Sequence, residues 1–171
     1  GAARAAPDWD LVLKRNNVER LKREKFPLEI VNELEELGQR NYLDISEEDM
    51  VRFQWYGLYQ DKPKVGYFML RIKAPSGIMT AAQYRALGEL SVKFGRDYTE
   101  LSTRQNVQLH WLQIKQFPEV FAALDAVGLT SLGGCGDSVR NITGCPVAGL
   151  DTDELFDCRP QLDEVVQYFL T

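Results

Sequence analysis

Two stretches of the 171-residue chain gather side chains able to hold an anion. In Ser102-Thr-Arg-Gln-Asn-Val-Gln-Leu-His110, the polar residues Asn106, Gln108 and His110 alternate with Val107, Leu109 and Trp111. A period of two places the two sets on opposite faces of a strand. An earlier segment, Lys64–Lys73, alternates in the same way: Phe68, Leu70 and Ile72 against Tyr67, Met69, Arg71 and Lys73. If the two strands are neighbours, one sheet face collects Arg71, Asn106, Gln108 and the chain's single histidine, His110, with Arg104 at its margin. A guanidinium binds carboxylates and other planar oxyanions through paired hydrogen bonds. The same pattern is equally what a solvated outer sheet face produces.

The second stretch is Gly133-Gly-Cys-Gly-Asp-Ser-Val-Arg-Asn141, continued by Ile-Thr-Gly-Cys-Pro-Val-Ala-Gly149. Its glycines let backbone approach a ligand, and successive N–H groups can form an anion nest. No Gly-Lys-Ser/Thr is present, so it is not a P-loop, and no helix start follows it as a dinucleotide fingerprint requires. Long connections without their own structure are more often functional than not.

The elements that must position these residues read as follows. Trp9 to Lys25 and Leu28 to Leu37 are expected as helices, the second entered by Pro27 and ended by Gly38, and a short helix follows the cap Ser46. Residues 53 to 60 are aromatic and fit no period. After the Lys64–Lys73 strand comes a turn at Pro75-Ser-Gly77, then a helix capped by Thr80 and ended by Gly95, with Tyr84, Leu87, Leu90, Ser91 and Phe94 on its apolar stripe. Strands are expected at Tyr98–Thr103 and Asn106–Ile114, a helix at Glu119–Val127, and a last strand at Leu129–Leu132. Strand, helix, strand, strand, helix, strand is the α+β, ferredoxin-like split βαβ order. Both helices then cover one face of an antiparallel sheet, and the first and third strands are central. The chain divides into a helical arm (1–62), a ferredoxin-like half-domain (63–134), and a glycine-rich loop with the start of a further domain (135–171).

Composition narrows the classes. With 44% hydrophobic and 26% charged residues the chain is globular, and no apolar run is long enough for a membrane span. A net charge of -5 argues against nucleic-acid binding. Three cysteines, at 135, 145 and 158, make no disulfide framework and suggest a reducing, cytoplasmic setting. The first residues, Gly-Ala-Ala-Arg-Ala-Ala, lack both Met and a secretory apolar core, so the chain reads as a fragment or a trimmed product. The basic positions between Lys14 and Lys25 read first as a solvated helix face.

Phe68-Met-Leu-Arg-Ile-Lys-Ala-Pro-Ser-Gly77, Ser102–His110 and Gly136-Asp-Ser-Val-Arg-Asn141, with Val127-Gly-Leu-Thr-Ser131 and Cys158-Arg-Pro160, resemble the sirohaem-dependent nitrite and sulfite reductases over residues 45 to 171. The resemblance implies one half of an enzyme about three times this length, with two pseudo-repeated halves, sirohaem and a four-iron four-sulfur cluster, and six-electron reduction of nitrite to ammonia or sulfite to sulfide. It implies that Arg71 and Arg140 face the substrate anion, and that Arg71, Arg104, Asn106, Gln108, His110, Arg140 and Asn141 surround sirohaem. The family's cluster cysteines come as Cys-x5-Cys and Cys-x3-Cys. The three here do not fit that spacing, so no metal ligand is assigned, and the cluster ligands are expected outside this chain together with the active-site lysines.

Asp137-Ser-Val-Arg-Asn141 and Gly144–Asp151 look more like the ferredoxin-dependent nitrite reductases, whereas Gly134-Cys-Gly-Asp137 has the look of the sulfite enzymes. Nitrite is the favoured substrate and sulfite the alternative. The expected partners are an electron donor such as ferredoxin and the remaining carboxy-terminal half of the same enzyme. Two other readings stand beside this one: a non-catalytic ferredoxin-like binding module, and a related sirohaem-fold enzyme of cobalamin synthesis.

Overall fold

The computed structural model describes residues 6–63 and 65–170. Residues 1–5, Lys64 and Thr171 lie outside the described residues, and with them most of the amino-terminal segment and the expected start of the first strand. Seven helices are described: α1 Trp9–Arg15, α2 Asn17–Glu24, α3 Leu34–Gln39, α4 Glu47–Arg52, α5 Ala81–Phe94, α6 Phe117–Asp125 and α7 Arg159–Leu170. The strands are β1 Leu58–Gln60, β2 Phe68–Ile72, β3 Thr99–Leu101 and β4 Val107–Leu112.

These strands form one antiparallel sheet in the order β1-β2-β4-β3, so β2 and β4 are the central pair, as expected. Phe68, Leu70 and Ile72 point into the core with Val107, Leu109 and Leu112, under Leu87, Leu90, Val120 and Leu124 of α5 and α6. Thr80 caps α5 through a reciprocal box with Gln83, which satisfies N–H groups that have no partner within the helix. Tyr84, expected on the buried stripe, is instead exposed.

Four expectations need correction. The Trp9–Lys25 helix is two helices, because Asn16 is extended and its side-chain oxygen accepts from Val18 and Glu19 N–H to start α2. The second helix begins as a 3-10 turn over Pro27–Glu33 and becomes α only at α3. The last strand shrinks to one bridge, Lys73 with Thr130, because β1 already occupies the edge of β2 beside Phe68–Leu70. The alternation along β4 breaks as well. Phe68 pairs with Leu112 and Leu70 with Leu109, so three steps on β4 match two on β2, and Trp111 adopts φ 68°. This β-bulge turns Trp111 to the polar side and brings Leu112 into the core. Trp111 there packs edge-on to Tyr67 and carries the Arg96 guanidinium 3.7 Å over its ring.

The amino-terminal arm shares the domain's core. Ile30, Leu34, Leu37, Ile45 and Phe53 belong to the same apolar cluster as the sheet. Phe53, Phe68 and Phe117 meet edge to face at its centre, with ring centroids 5.3–5.9 Å apart. The arm's basic run is largely paired internally. Lys25 bridges Glu33 and Asp49, Arg20 meets Glu24, and buried Arg52 donates to Asp49 and the Leu21 carbonyl.

Candidate functional site

Arg71 is held by backbone before its side chain is considered. On one side its strand pairs with β4, where Arg71 stands opposite Gln108. On the other, its N–H donates to the Gly57 carbonyl at 2.8 Å. A side chain at Gly57 would place its Cβ 2.6 Å from the Arg71 carbonyl oxygen, and one at Gly134 would place it at 2.3 Å. Those two glycines therefore let residues 57 and 131–134 close onto the strand beside Arg71.

The loop of residues 133–141 folds over the polar face of β2. Gly133 N–H donates to the Trp55 carbonyl, Ser138 Oγ to the Cys135 carbonyl, and Arg140 Nε and Nη2 to the Gly136 carbonyl at 3.2 and 2.9 Å. Asp137 is reached from the arm by Lys22. Asn141, 2% exposed, donates from Nδ2 to the Ala74 and Arg104 carbonyls at 3.0 and 2.8 Å, while Arg104 Nη2 donates back to the Asn141 carbonyl. Gln105 pairs both ways with the Gly144 backbone. The loop is thus laced to the β2 end and the β3–β4 turn.

Arg71 reaches the buried thiol of Cys135, and Arg140, held on the neighbouring Gly136 carbonyl, is near enough for its charge to act on the same thiol. Burial pushes that thiol above its ordinary value, while the charges of Arg71 and Arg140 pull the other way. Arg71 Nη1 lies 3.4 Å from Cys135 Sγ and Nη2 lies 4.0 Å from Met69 Sδ, both weak acceptors, and its Nε is buried with no partner. Among the described residues neither arginine has a carboxylate partner, nor does Arg104. Arg71 and Arg140 are half-buried and Arg104 is exposed, so all three guanidiniums are open to an anion from outside the chain.

The other sequence-named residues fall in three places. Gln108 shares the face with Arg71 across the β2–β4 pair. Asn106 is buried, and Ser102 Oγ donates to its amide oxygen at 2.7 Å inside the β3–β4 turn. His110 stands at the far end, with Nδ1 3.0 Å from Asp61 and Nε2 3.2 Å from Glu100. The face therefore runs from unpaired cations at Arg71 and Arg140 to an acid-flanked histidine.

Two residues escaped the sequence reading. Cys135 is given no role by its spacing, and its place against Arg71, within reach of the Arg140 charge, has no sequence signal. Lys73 was placed on the polar face, yet it is 6% exposed and donates to the Val139 carbonyl at 3.2 Å. Its position two residues beyond Arg71 was the available signal.

Residues 59–127 match the family model described as the nitrite/sulfite reductase ferredoxin-like half domain. The chain belongs to the nitrite and sulfite reductase family. It is 35% identical to a sulfite reductase [ferredoxin] of Mycobacterium tuberculosis, over 91% of this chain and 31% of the relative. It is 40% identical to a ferredoxin–nitrite reductase of Leptolyngbya laminosa, over 84% of this chain and 29% of the relative. The solved structure of the Mycobacterium tuberculosis NirA protein superposes with a TM-score of 0.83 at 33% identity, covering 94% of this chain and 33% of that one. The chain spans about a third of the length of the curated relatives it matches. These relatives are oxidoreductases named for both substrates, and their shared half domain confirms the ferredoxin-like fold.

The family implies sirohaem and an iron–sulfur cluster. The donors here fit such a tetrapyrrole with its anionic substrate: Gln108 and Arg104 lie where they can meet its carboxylate rim, while Arg71, with an orphaned buried Nε, and Arg140 have no carboxylate partner among the described residues. No group of three or more His, Cys, Asp or Glu able to hold a metal occurs among the described residues, and Cys135, Cys145 and Cys158 are free thiols. Among the described residues no helix is long and apolar enough to cross a membrane.

Proposed function

We propose that this chain contributes one wall of the active site of a sirohaem and iron–sulfur reductase that takes nitrite to ammonia with electrons from a donor such as ferredoxin. The observation that supports it most is the pair of guanidiniums, Arg71 on the strand and Arg140 in the loop folded over it, with no acidic partner for either among the described residues. Sirohaem would supply the electrons and the iron to which the substrate binds. Arg104 and Gln108 would hold its carboxylates, with Asn106 and Asn141 bracing the turn and loop behind them and His110 at the acid-flanked end of the face. Arg71 and Arg140 bind the anionic substrate and steady negative charge as each N–O bond lengthens and oxygen leaves as water. Their charges are fixed beforehand by strand and loop, so little reorganisation is needed at the moment of reaction. The cluster ligands and the rest of the pocket would come from the carboxy-terminal part of the same enzyme.

A second reading, reduction of sulfite, rests on Gly134-Cys-Gly-Asp137 and on the relatives named sulfite reductase. The full-length enzyme decides between them when nitrite and sulfite turnover are measured per haem on one preparation. Arg140→Ala and Arg71→Ala should retain sirohaem and lose about a hundredfold in turnover, the scale of one preorganised charge. Normal turnover per haem in both variants would remove these residues from the site.

A further inference from the structure

Lys73 is buried and lines a cavity of about 270 Å³ together with Leu28, Trp55, Leu132 and Ser138. Among the described residues no carboxylate meets its ammonium. Burying a lysine without a counter-charge is costly, and methionine would fill the same space. Burial indeed holds the amine below the ordinary lysine value. The polar end therefore has a use that packing does not explain.

That use is legible in the contacts. Nζ donates to the carbonyl of Val139, the residue immediately before Arg140. Gly133 leaves room for the contact: a Cβ there would press tightly on it, 3.1 Å from the Val139 oxygen and 3.3 Å from Nζ. Fixing the Val139 carbonyl fixes the peptide plane from which Arg140 departs. Of the other ties, Ser138 to Cys135 and Arg140 to Gly136 are internal, Cys135 meets Arg71 and the Gly57 carbonyl, and Asn141 donates to the Ala74 and Arg104 carbonyls; none of these holds the Val139 carbonyl. Lys22 reaches Asp137 only at the exposed rim. Lys73 directly follows the strand that carries Arg71, two residues on, and is bridged there to Thr130.

We propose that Lys73 is a positioning residue for Arg140, referring the loop arginine to the same rigid strand that carries Arg71. The inference rests on the reading of Arg140 as an anion-contacting group. It is tested by a double-mutant cycle in the full-length enzyme: Lys73→Met, Arg140→Ala and the double variant, each with haem content measured. Lys73→Met should keep its sirohaem and lose about tenfold in kcat/KM for the anion, mostly through KM, as a displaced binding group does. In the Arg140→Ala background the same change should cost nothing further. Lys73→Arg should restore part of the loss, having a donor that reaches the carbonyl.

Equal losses from Lys73→Met in both backgrounds, or no loss in either, would overturn the positioning role alone. Normal turnover per haem in Arg140→Ala would bring down both this inference and the reading of the site. Should Lys73→Met fail to fold or to take up haem, Lys73→Gln, whose amide can still donate, goes through the same cycle. Coupling to Arg140 then supports the inference, and additive losses or haem loss in that variant too overturn it.

Discussion

Gln108 and Asn106 are two steps apart in sequence and do different work. Gln108 stands on the sheet face opposite Arg71, whereas Asn106 is buried and accepts from Ser102 in the turn. Gln108→Ala in the full-length enzyme should therefore lower haem occupancy while leaving the melting temperature nearly unchanged. Asn106→Ala should lower both, by about 1–2 kcal/mol in stability, since a buried hydrogen-bond partner is lost. Haem absorbance and a thermal melt on the same samples separate the two, and full haem occupancy in Gln108→Ala would take that residue off the cofactor wall. Asn141 has a similar double character. Its amide holds the Ala74 and Arg104 carbonyls, so Asn141→Ala should unsettle the loop and Arg104 together. The arginines were found in the sequence by alternation and resemblance. Their approach to Cys135 was not, because a loop's path across a sheet face leaves no periodic trace.

The elements were legible where one period ran without interruption. α5 and α6 each have an apolar stripe, a cap or a proline at the start and a glycine behind, and β2 has its alternation of Phe68, Leu70 and Ile72. β1 was missed because three residues after a left-handed Gly57 are too few to display alternation. Trp111 was assigned to the core because a bulge adds one residue to a strand without altering its composition. The close contact at Gly134 carries a sharp prediction: Gly134→Ala should cost on the order of 3 kcal/mol, the upper range for overpacking, and a urea melt within 0.5 kcal/mol of wild type would contradict it. The arm's closure should depend on pH. Burial alone would raise the Asp49 carboxyl, but hydrogen bonds from Arg52 and Ser46 and the charge of Lys25 outweigh it and hold it below the ordinary value. A carboxyl lowered in the folded state stabilises fully above its unfolded value of 3.8 and loses that contribution as pH falls through the folded value. Asp49→Asn should flatten the acid limb of a stability–pH curve and cost about 2–3 kcal/mol at neutral pH, since buried Arg52 loses its carboxylate. An unchanged acid limb would assign the arm's acid sensitivity elsewhere.

Seen whole, the molecule turns much apolar surface outward near its carboxy-terminal end. Leu150, Leu155, Phe156, Val165, Tyr168 and Phe169 are exposed, which is more than a well-solvated surface carries. Residues 1–171 produced alone should self-associate at micromolar concentration, and a sharp monomer peak on a sizing column over that range would contradict this. The shared edge of β2 has a consequence for synthesis on the ribosome. β1 comes just before β2, but the carbonyl that receives the Lys73 N–H belongs to Thr130, far later in the chain. While translation proceeds between them, the last part of β2 is a nascent strand with one bare side, the kind of surface chaperones recognise. Stalled chains ending near residue 120 should therefore bind a holdase or cross-link to one another, and chains that have released residue 141 should do neither. The glycines that later seat Arg71 would then also mark the moment at which the emerging polypeptide stops being a hazard to its neighbours.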